Sequence, residues 1–90
     1  MEIHLSPFVR KELRRINQKD KKLAKKIEKQ LLIFANNPRH PSLRTHKLTR
    51  KKEQEWSIPI TMSFRMIYKI LDNNIAYFSD IGNHDEVYGK

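Results

Sequence analysis

The stretch WSIPITMSFRMIYKI, residues 56–70, decides the fold because apolar side chains recur there at every second position. Successive side chains of a β-strand point to opposite faces of its sheet, so this period predicts strands with one buried face. Arg65 interrupts the apolar run, and alternation predicts that it lies on the face opposite Phe64 and Met66. Asp72–Asn74 follows as a predicted hairpin turn.

Ahead of these strands, apolar residues recur at intervals of three and four, which is typical of amphipathic helices. Residues 1–5 predict a short strand. Ser6-Pro7 predicts the start of the first helix, because serine caps free backbone amides and proline suits the first turn. Asn17–Lys19 predicts a turn, Asp20 the cap of a second helix, and Asn36–Pro38 its end.

Residues 39–55 contain few apolar side chains and predict an ordered loop or one short strand, held by Leu43 and Leu48. Residues 75–81 predict a further strand. The order β-α-α-loop-β-β-β predicts an α+β fold. We expect one domain over residues 1–90, in which an N-terminal strand and an antiparallel two-helix hairpin pack on one face of a mainly antiparallel four-stranded sheet.

The composition favours an anionic partner. The chain has 90 residues, 19 Lys and Arg against 10 Asp and Glu, and a formal charge of +9. Such an excess favours nucleic acid first and an acidic protein second. Cysteine is absent, which excludes disulfide scaffolds and cysteine-rich zinc sites. No apolar run approaches the roughly 20 residues that cross a bilayer, so we expect a cytoplasmic protein without a membrane partner.

The most basic segment is residues 39–55, which predicts a site for a polyanion such as RNA. Each cation that neutralises a phosphate releases counterions, so binding there would depend on salt. A solvated charged loop is the alternative interpretation. The predicted RNA-binding residues are Arg44, Lys47, Arg50, Lys51 and Lys52.

Four side chains could carry chemistry without a metal or cofactor, since the sequence has neither a glycine-rich phosphate loop nor carboxylates at metal-site spacing. RNA cleavage of this kind needs a base, a cation beside the phosphate, and an acid. His46, Arg65 and His84 supply these groups. Tyr88 supplies a hydroxyl or a ring that stacks on a base. Arg65 is predicted on the sheet face that the helices leave uncovered. Ordinary surface roles remain the alternative for each.

Several short segments, taken in order, resemble the RelE/ParE toxin superfamily, in its RelE/YafQ type. The resemblance implies a compact α+β fold, no cofactor, and a ribosome-dependent endonuclease that cuts messenger RNA and contacts 16S ribosomal RNA. It also implies a cognate acidic antitoxin that covers the active face, and catalytic roles for His46, Arg65, His84 and Tyr88. The segments are His46–Leu48, Trp56-Ser57, Phe64–Tyr68, Ile81–His84 and Val87-Tyr88.

The sequence also departs from this family pattern. Pro59 and Ser63 lie where the YafQ type has a further histidine and an aspartate, and Arg50 replaces a glycine. The departures leave open which histidine is the base and which is the acid. Two other functions remain open: a ParE-like protein that inhibits DNA gyrase by binding it, and a nucleic-acid-binding domain without catalysis, for example a toxin whose catalytic power is lost.

Overall fold

A computed structural model describes residues 1–48, 55–72, 74–83 and 86–87 of the chain. Within these ranges, two helices pack on one face of a five-stranded sheet. The α+β class and the helices on one face are confirmed. The elements in chain order are β1 (Glu2–Leu5), α1 (Pro7–Lys19), α2 (Lys21–Asn36), a 3-10 turn (Pro41–Leu43), β2 (His46–Leu48), β3 (Glu55–Pro59), β4 (Phe64–Asp72) and β5 (Ile75–Asn83).

The predicted number of four strands is wrong, because the sheet has five, whereas the mainly antiparallel direction is confirmed. The strand order is β1-β5-β4-β3-β2. Strand β1 runs parallel to β5, whereas the other neighbours are antiparallel. The extra strand, β2, lies in the basic segment, where it pairs with β3 and places His46 opposite Ser57. Leu43 holds the preceding loop, because its side chain is fully buried in the core.

The two helices are joined by a single residue. Ser6 caps α1 as predicted, accepting a hydrogen bond from Val9 N at 3.1 Å. Asp20 caps α2 as predicted, accepting one from Leu23 N at 3.0 Å. The predicted turn at Asn17–Lys19 is wrong, because α1 continues to Lys19 and Asp20 alone breaks the helix. Within the described ranges, neither helix is long or apolar enough to cross a membrane.

The main core lies between the helices and the sheet. Phe34 of α2 is fully buried, and its ring makes edge contacts with Tyr68 and Phe78 at centroid distances of 4.8 and 5.2 Å. Trp56 pairs with Tyr68 in the strand register and stacks on it. The helix-facing side of the sheet therefore carries an aromatic cluster that fixes α2 against β4 and β5.

The opposite face is partly covered. Register partners Ser57 and Ile67 lie on this face, yet their exposed fractions are 0% and 2%. A Cβ on Gly82 would meet Glu86 Cβ at 3.2 Å, and Val87 is buried. Residues 86 and 87 therefore lie against this face of the sheet.

The apolar alternation through residues 56–70 does not correspond to one continuous strand, because a turn interrupts it. Strand β3 ends at Pro59, and Ile60 N and Thr61 N both donate hydrogen bonds to Phe64 O in a tight turn. Met62, whose position indicates a buried side chain, is therefore 98% exposed at the tip of this hairpin. Residues 60–63 form a turn and not a strand, so alternation does not predict which of their side chains are buried.

Candidate active site

A cleft of about 560 Å³ lies where the β3–β4 hairpin meets the loop before β2. Three predicted site residues line it together: Arg44, His46 and Arg65. The cleft also has contributions from α2 and from the hairpin turn. These other lining residues are Gln30, Ser42, Pro59, Ile60, Thr61 and Met62.

Arg65 enters the cleft from the sheet. It lies in β4 between Pro59 of β3 and Gly82 of β5. The next residue, Met66, is fully buried in the core beneath the helices, so Arg65 lies on the opposite face as predicted. Its side chain is half-buried, with Nε out of contact with solvent. A guanidinium whose inner end is held in this way has little freedom, which favours two parallel hydrogen bonds to one phosphate.

His46 is the first residue of β2 and is exposed. It pairs with Ser57, which lies on the same face of β3 as Pro59, the register partner of Arg65. His46 and Arg65 are therefore two strands apart, and they are offset by two residues along the strand direction. This separates their Cα atoms by roughly 12 Å at ordinary strand spacing and rise. At this separation, the side chains of an arginine and a histidine are long enough to contact one phosphate that lies between them.

Arg44 lies on the outer side of the cleft with an unusual backbone. Its φ and ψ are both 47°, in the left-handed region that non-glycine residues rarely adopt. It ends the 3-10 turn, and its N–H donates to Pro41 O at 3.1 Å. This conformation redirects the chain between buried Leu43 and the start of β2, and it leaves the Arg44 side chain exposed.

The cleft is suited to an anion. None of the described residues that line it is acidic, while Arg44 and Arg65 are cationic and His46 contributes an imidazole ring. In the described part of the chain, no group of three His, Cys, Asp or Glu side chains is arranged to hold a metal ion. The lining therefore provides two guanidinium groups and an imidazole, which can bind a phosphate and transfer a proton.

Lys47 does not line this cleft. It pairs with Trp56 across β2 and β3, on the sheet face opposite His46, because adjacent strand residues alternate between faces. The other predicted site residues lie outside the described residues, and their roles stay predictions. They are the RNA-binding candidates Arg50, Lys51 and Lys52 and the catalytic candidates His84 and Tyr88.

Six of the described lining residues were not predicted as site residues, and Gln30 and Met62 are the two whose side chains matter most here. Gln30 of α2 donates a hydrogen bond from Nε2 to Pro59 O at 3.2 Å and so ties the helix to the hairpin. Met62 extends from the hairpin tip into solvent. The sequence offered one indication for Gln30, which is an uncharged residue beside a lysine-rich helix face. It offered none for Met62, whose place in the apolar alternation predicts a buried side chain.

Comparisons with known proteins identify relatives over nearly the whole chain. Residues 3–88 match the family model described as ParE toxin of type II toxin-antitoxin system, parDE. The chain is 31% identical to the toxin homologue RelE4 of Methanocaldococcus jannaschii, over 99% of this chain and 92% of that protein.

Two solved structures share the fold. YoeB in the heterotetrameric YoeB–YefM toxin–antitoxin complex from Staphylococcus aureus is 25% identical, with a TM-score of 0.77 over 93% of this chain and 97% of that one. YafQ from Escherichia coli strain BL21(DE3) is 19% identical, with a TM-score of 0.77 over 98% of both chains. The family match and the RelE4 relative confirm the resemblance drawn from the sequence: the chain belongs to the ParE toxin family of type II toxin–antitoxin systems, within the RelE/ParE superfamily.

Proposed function

We propose that this protein is a ribosome-dependent endonuclease that cuts messenger RNA and thereby inhibits translation. The observation that carries the proposal is the cleft in which Arg44, His46 and Arg65 meet without an acidic neighbour among its described lining residues. Two guanidinium groups beside an imidazole suit a phosphate, and RNA supplies a phosphate with a 2′-hydroxyl next to it. The resemblance to RelE- and YafQ-type toxins supports the same substrate.

In the proposed reaction, a base removes the proton of a 2′-hydroxyl, and the oxygen attacks the adjacent phosphorus. The bond to the 5′-oxygen breaks, and an acid protonates that leaving oxygen. Arg65 and Arg44 stabilise the negative charge that develops on the phosphoryl oxygens. His46 is the proton-transferring group of the cleft; His84 and Tyr88, outside the described residues, are the candidates for the complementary transfer.

The test is to map cleaved messages on ribosomes after induced expression. His46→Ala and Arg65→Ala should each lower the cleavage rate by about 10²-fold or more, since each removes a group that acts in the transition state. Lys25→Ala is the matched control, because Lys25 is an exposed cation on α2 that does not line the cleft. A His46→Ala/His84→Ala variant tests both histidines. Unchanged cleavage in the Arg65 and His46 variants would remove the cleft from the proposal.

A second candidate function is inhibition of DNA gyrase by protein contact, which the match to the ParE family model favours. This function needs no catalytic histidine. Supercoiling by purified gyrase should stop in the presence of the protein, while messenger RNA stays intact. Salt-sensitive RNA binding with neither cleavage nor gyrase inhibition would instead favour a non-catalytic nucleic-acid-binding domain.

The proposed protein partner is an acidic antitoxin. A groove of about 490 Å³ runs between α1 and α2, and Leu32, which lines it, is 59% exposed. The solved YoeB relative is in a complex with YefM. An amphipathic helix could place its apolar side in such a groove, and its acidic side would meet a chain of charge +9. The apolar lining consists of Ile3, Leu13, Ile16, Ala24, Ile27, Leu31, Leu32 and Ala35.

Co-purification with the product of a neighbouring small reading frame tests this partner. Leu32→Asp should weaken the complex by at least about tenfold, because it puts a charge where an apolar side chain would dock. Leu71→Asp is the control, since Leu71 is also exposed but lies in β4, away from the groove. Equal loss in both variants, or in neither, would contradict the assignment of the partner to this groove.

A further inference from the structure

A second pocket, about 490 Å³ in volume, lies on the helix-facing side of the sheet under residues 38–45. Trp56 of β3 and Tyr68 of β4 form its aromatic wall. Arg39, His40 and Arg44 enter from the loop above. We call this the Trp56 pocket. Of its described lining residues, only Arg44 also lines the active cleft, and none of the functions considered above uses the pocket.

The aromatic wall is held rigidly. The rings of Trp56 and Tyr68 stack with a centroid distance of 5.9 Å and an interplanar angle of 20°. Tyr68 is in turn fixed from behind by Phe34, whose ring meets it edge-on at 4.8 Å. Trp56 itself is only half-buried. A partly exposed indole with a fixed orientation is the kind of surface on which a nucleobase stacks, because every base has a π-face.

The rim of the pocket is cationic. Arg39 and Arg44 are exposed, and Lys47 lies next to Trp56 on the same sheet face by register. None of the described residues that line the pocket carries a carboxylate. An aromatic wall with arginines around it combines a stacking surface for a base with contacts for the flanking phosphates, which is how single-stranded RNA is bound.

Arg44 connects this pocket to the active cleft, since it lines both. Its left-handed backbone places it at the point where the loop turns into β2. We propose that the Trp56 pocket binds a nucleobase of single-stranded RNA, on the same strand as the phosphate held by Arg65. Trp56 stacks on the base, and Arg39 and Arg44 contact the phosphates beside it. The claim that this base and the phosphate at Arg65 belong to one RNA strand rests on the proposed nuclease function. The claim that the pocket binds a base does not.

Trp56 reports on the pocket directly, because it is the only tryptophan of the chain. Titration with a short 2′-O-methyl oligoribonucleotide, which cannot be cleaved by attack of a 2′-hydroxyl, should quench its fluorescence in a saturable manner. Arg39→Ala should weaken this binding by severalfold and reduce the slope of log affinity against log salt by about 0.7, the value for one phosphate contact on a single strand. Arg10→Ala, which removes an exposed arginine of α1, should leave both quantities unchanged.

The stacking partner is tested with two substitutions of similar apolar bulk. Trp56→Phe keeps a ring and should retain affinity within about threefold, whereas Trp56→Leu removes the π-face and should lower it by about tenfold or more. Affinity is then measured by anisotropy of a fluorescein-labelled oligoribonucleotide, and circular dichroism checks that both variants fold. Equal affinity of the two variants would overturn the stacking assignment.

The two proposals fail in different ways. Saturable quenching that Arg39→Ala weakens, without cleavage of messages by the wild-type protein, would support the Trp56 pocket and contradict the nuclease function. Cleavage that His46→Ala abolishes, without quenching and without an effect of Arg39→Ala on oligonucleotide affinity, would support the nuclease and overturn the pocket.

Discussion

Arg65 illustrates how a single residue in a regular strand acquires a special environment. Its neighbours in sequence are apolar, and the sheet fixes its backbone on both sides through Pro59 and Gly82. Because the inner end of the side chain is buried, the guanidinium is presented to the cleft with little conformational freedom. A residue held in this way should be sensitive to the shape of its cation as well as to its charge.

Arg65→Lys tests this sensitivity. Lysine keeps the charge but cannot make two parallel hydrogen bonds to a phosphate, so we expect the cleavage rate on ribosomes to fall by about tenfold to a hundredfold. Arg10→Lys, on the exposed side of α1, should leave the rate unchanged. A cleavage rate for Arg65→Lys equal to that of the wild type would show that charge alone suffices at this position.

Asn83 and Glu86 hydrogen-bond to each other at the end of β5. Asn83 Oδ1 accepts from Glu86 N at 2.8 Å, and Glu86 Oε1 accepts from Asn83 N at 3.0 Å. This is the reciprocal arrangement of a capping box. Asn83→Ala should lower the free energy of unfolding in urea by about 1 kcal/mol, while Asn83→Ser, which keeps an acceptor oxygen, should lose less. Because residues 84 and 85 lie between the two partners, the alanine variant should also cleave more slowly if His84 acts in the reaction.

At the scale of elements, the start of α1 is tied to the sheet through one hydroxyl. Ser6 is 6% exposed, caps Val9 N, and donates from Oγ to Ser79 O at 3.3 Å. Ser6→Ala removes the cap and leaves Val9 N and Ser79 O without this partner, so unfolding should become easier by about 1–2 kcal/mol. Urea titration measures the change. Ser63→Ala, at an exposed hairpin position, should stay within about 0.5 kcal/mol of the wild type.

Helix starts were predictable because capping is local. Ser6 and Asp20 each need only backbone amides up to three residues further along the chain, which are already specified by the sequence. The predicted turn at Asn17–Lys19 failed because Asn and Gln are poor but tolerated helix residues, and the break occurred where Asp20 could cap the next helix. For residues 39–55 the sequence left two alternatives, an ordered loop or one short strand. It could not decide between them, because the three residues of β2 form a strand only by pairing with β3.

At the scale of the whole molecule, the phenol of Tyr68 in the aromatic core makes the free energy of unfolding depend on pH in the alkaline range. Burial raises the pKa of Tyr68 above its ordinary value of 10.0, and a hydrogen bond with Thr45 opposes part of the shift. The unfolded chain therefore loses this phenol proton at a lower pH than the folded protein does. The stability contribution is complete below pH of about 10 and is lost as pH rises through the raised pKa.

Tyr68→Phe should consequently show a smaller loss of unfolding free energy than the wild type when urea titrations are repeated above pH 10. The difference in slope between Tyr68→Phe and the wild type is the relevant quantity, because contributions that the two proteins share cancel in it. Parallel curves for Tyr68→Phe and the wild type would contradict the assigned environment of Tyr68.

Local sequence determined the helices, their caps, the alternation that buries Met66 and turns Arg65 to the opposite face, and the excess of positive charge. These features depend on neighbours within a few residues, so they can be recognised without the fold. Only the tertiary structure decided that His46, Arg44 and Arg65 line one cleft, that Trp56 and Tyr68 stack beside a cationic rim, and that the face behind Ser57 is covered. Each of these depends on pairing between residues distant in the chain, and such pairing is set by the packing of the whole molecule.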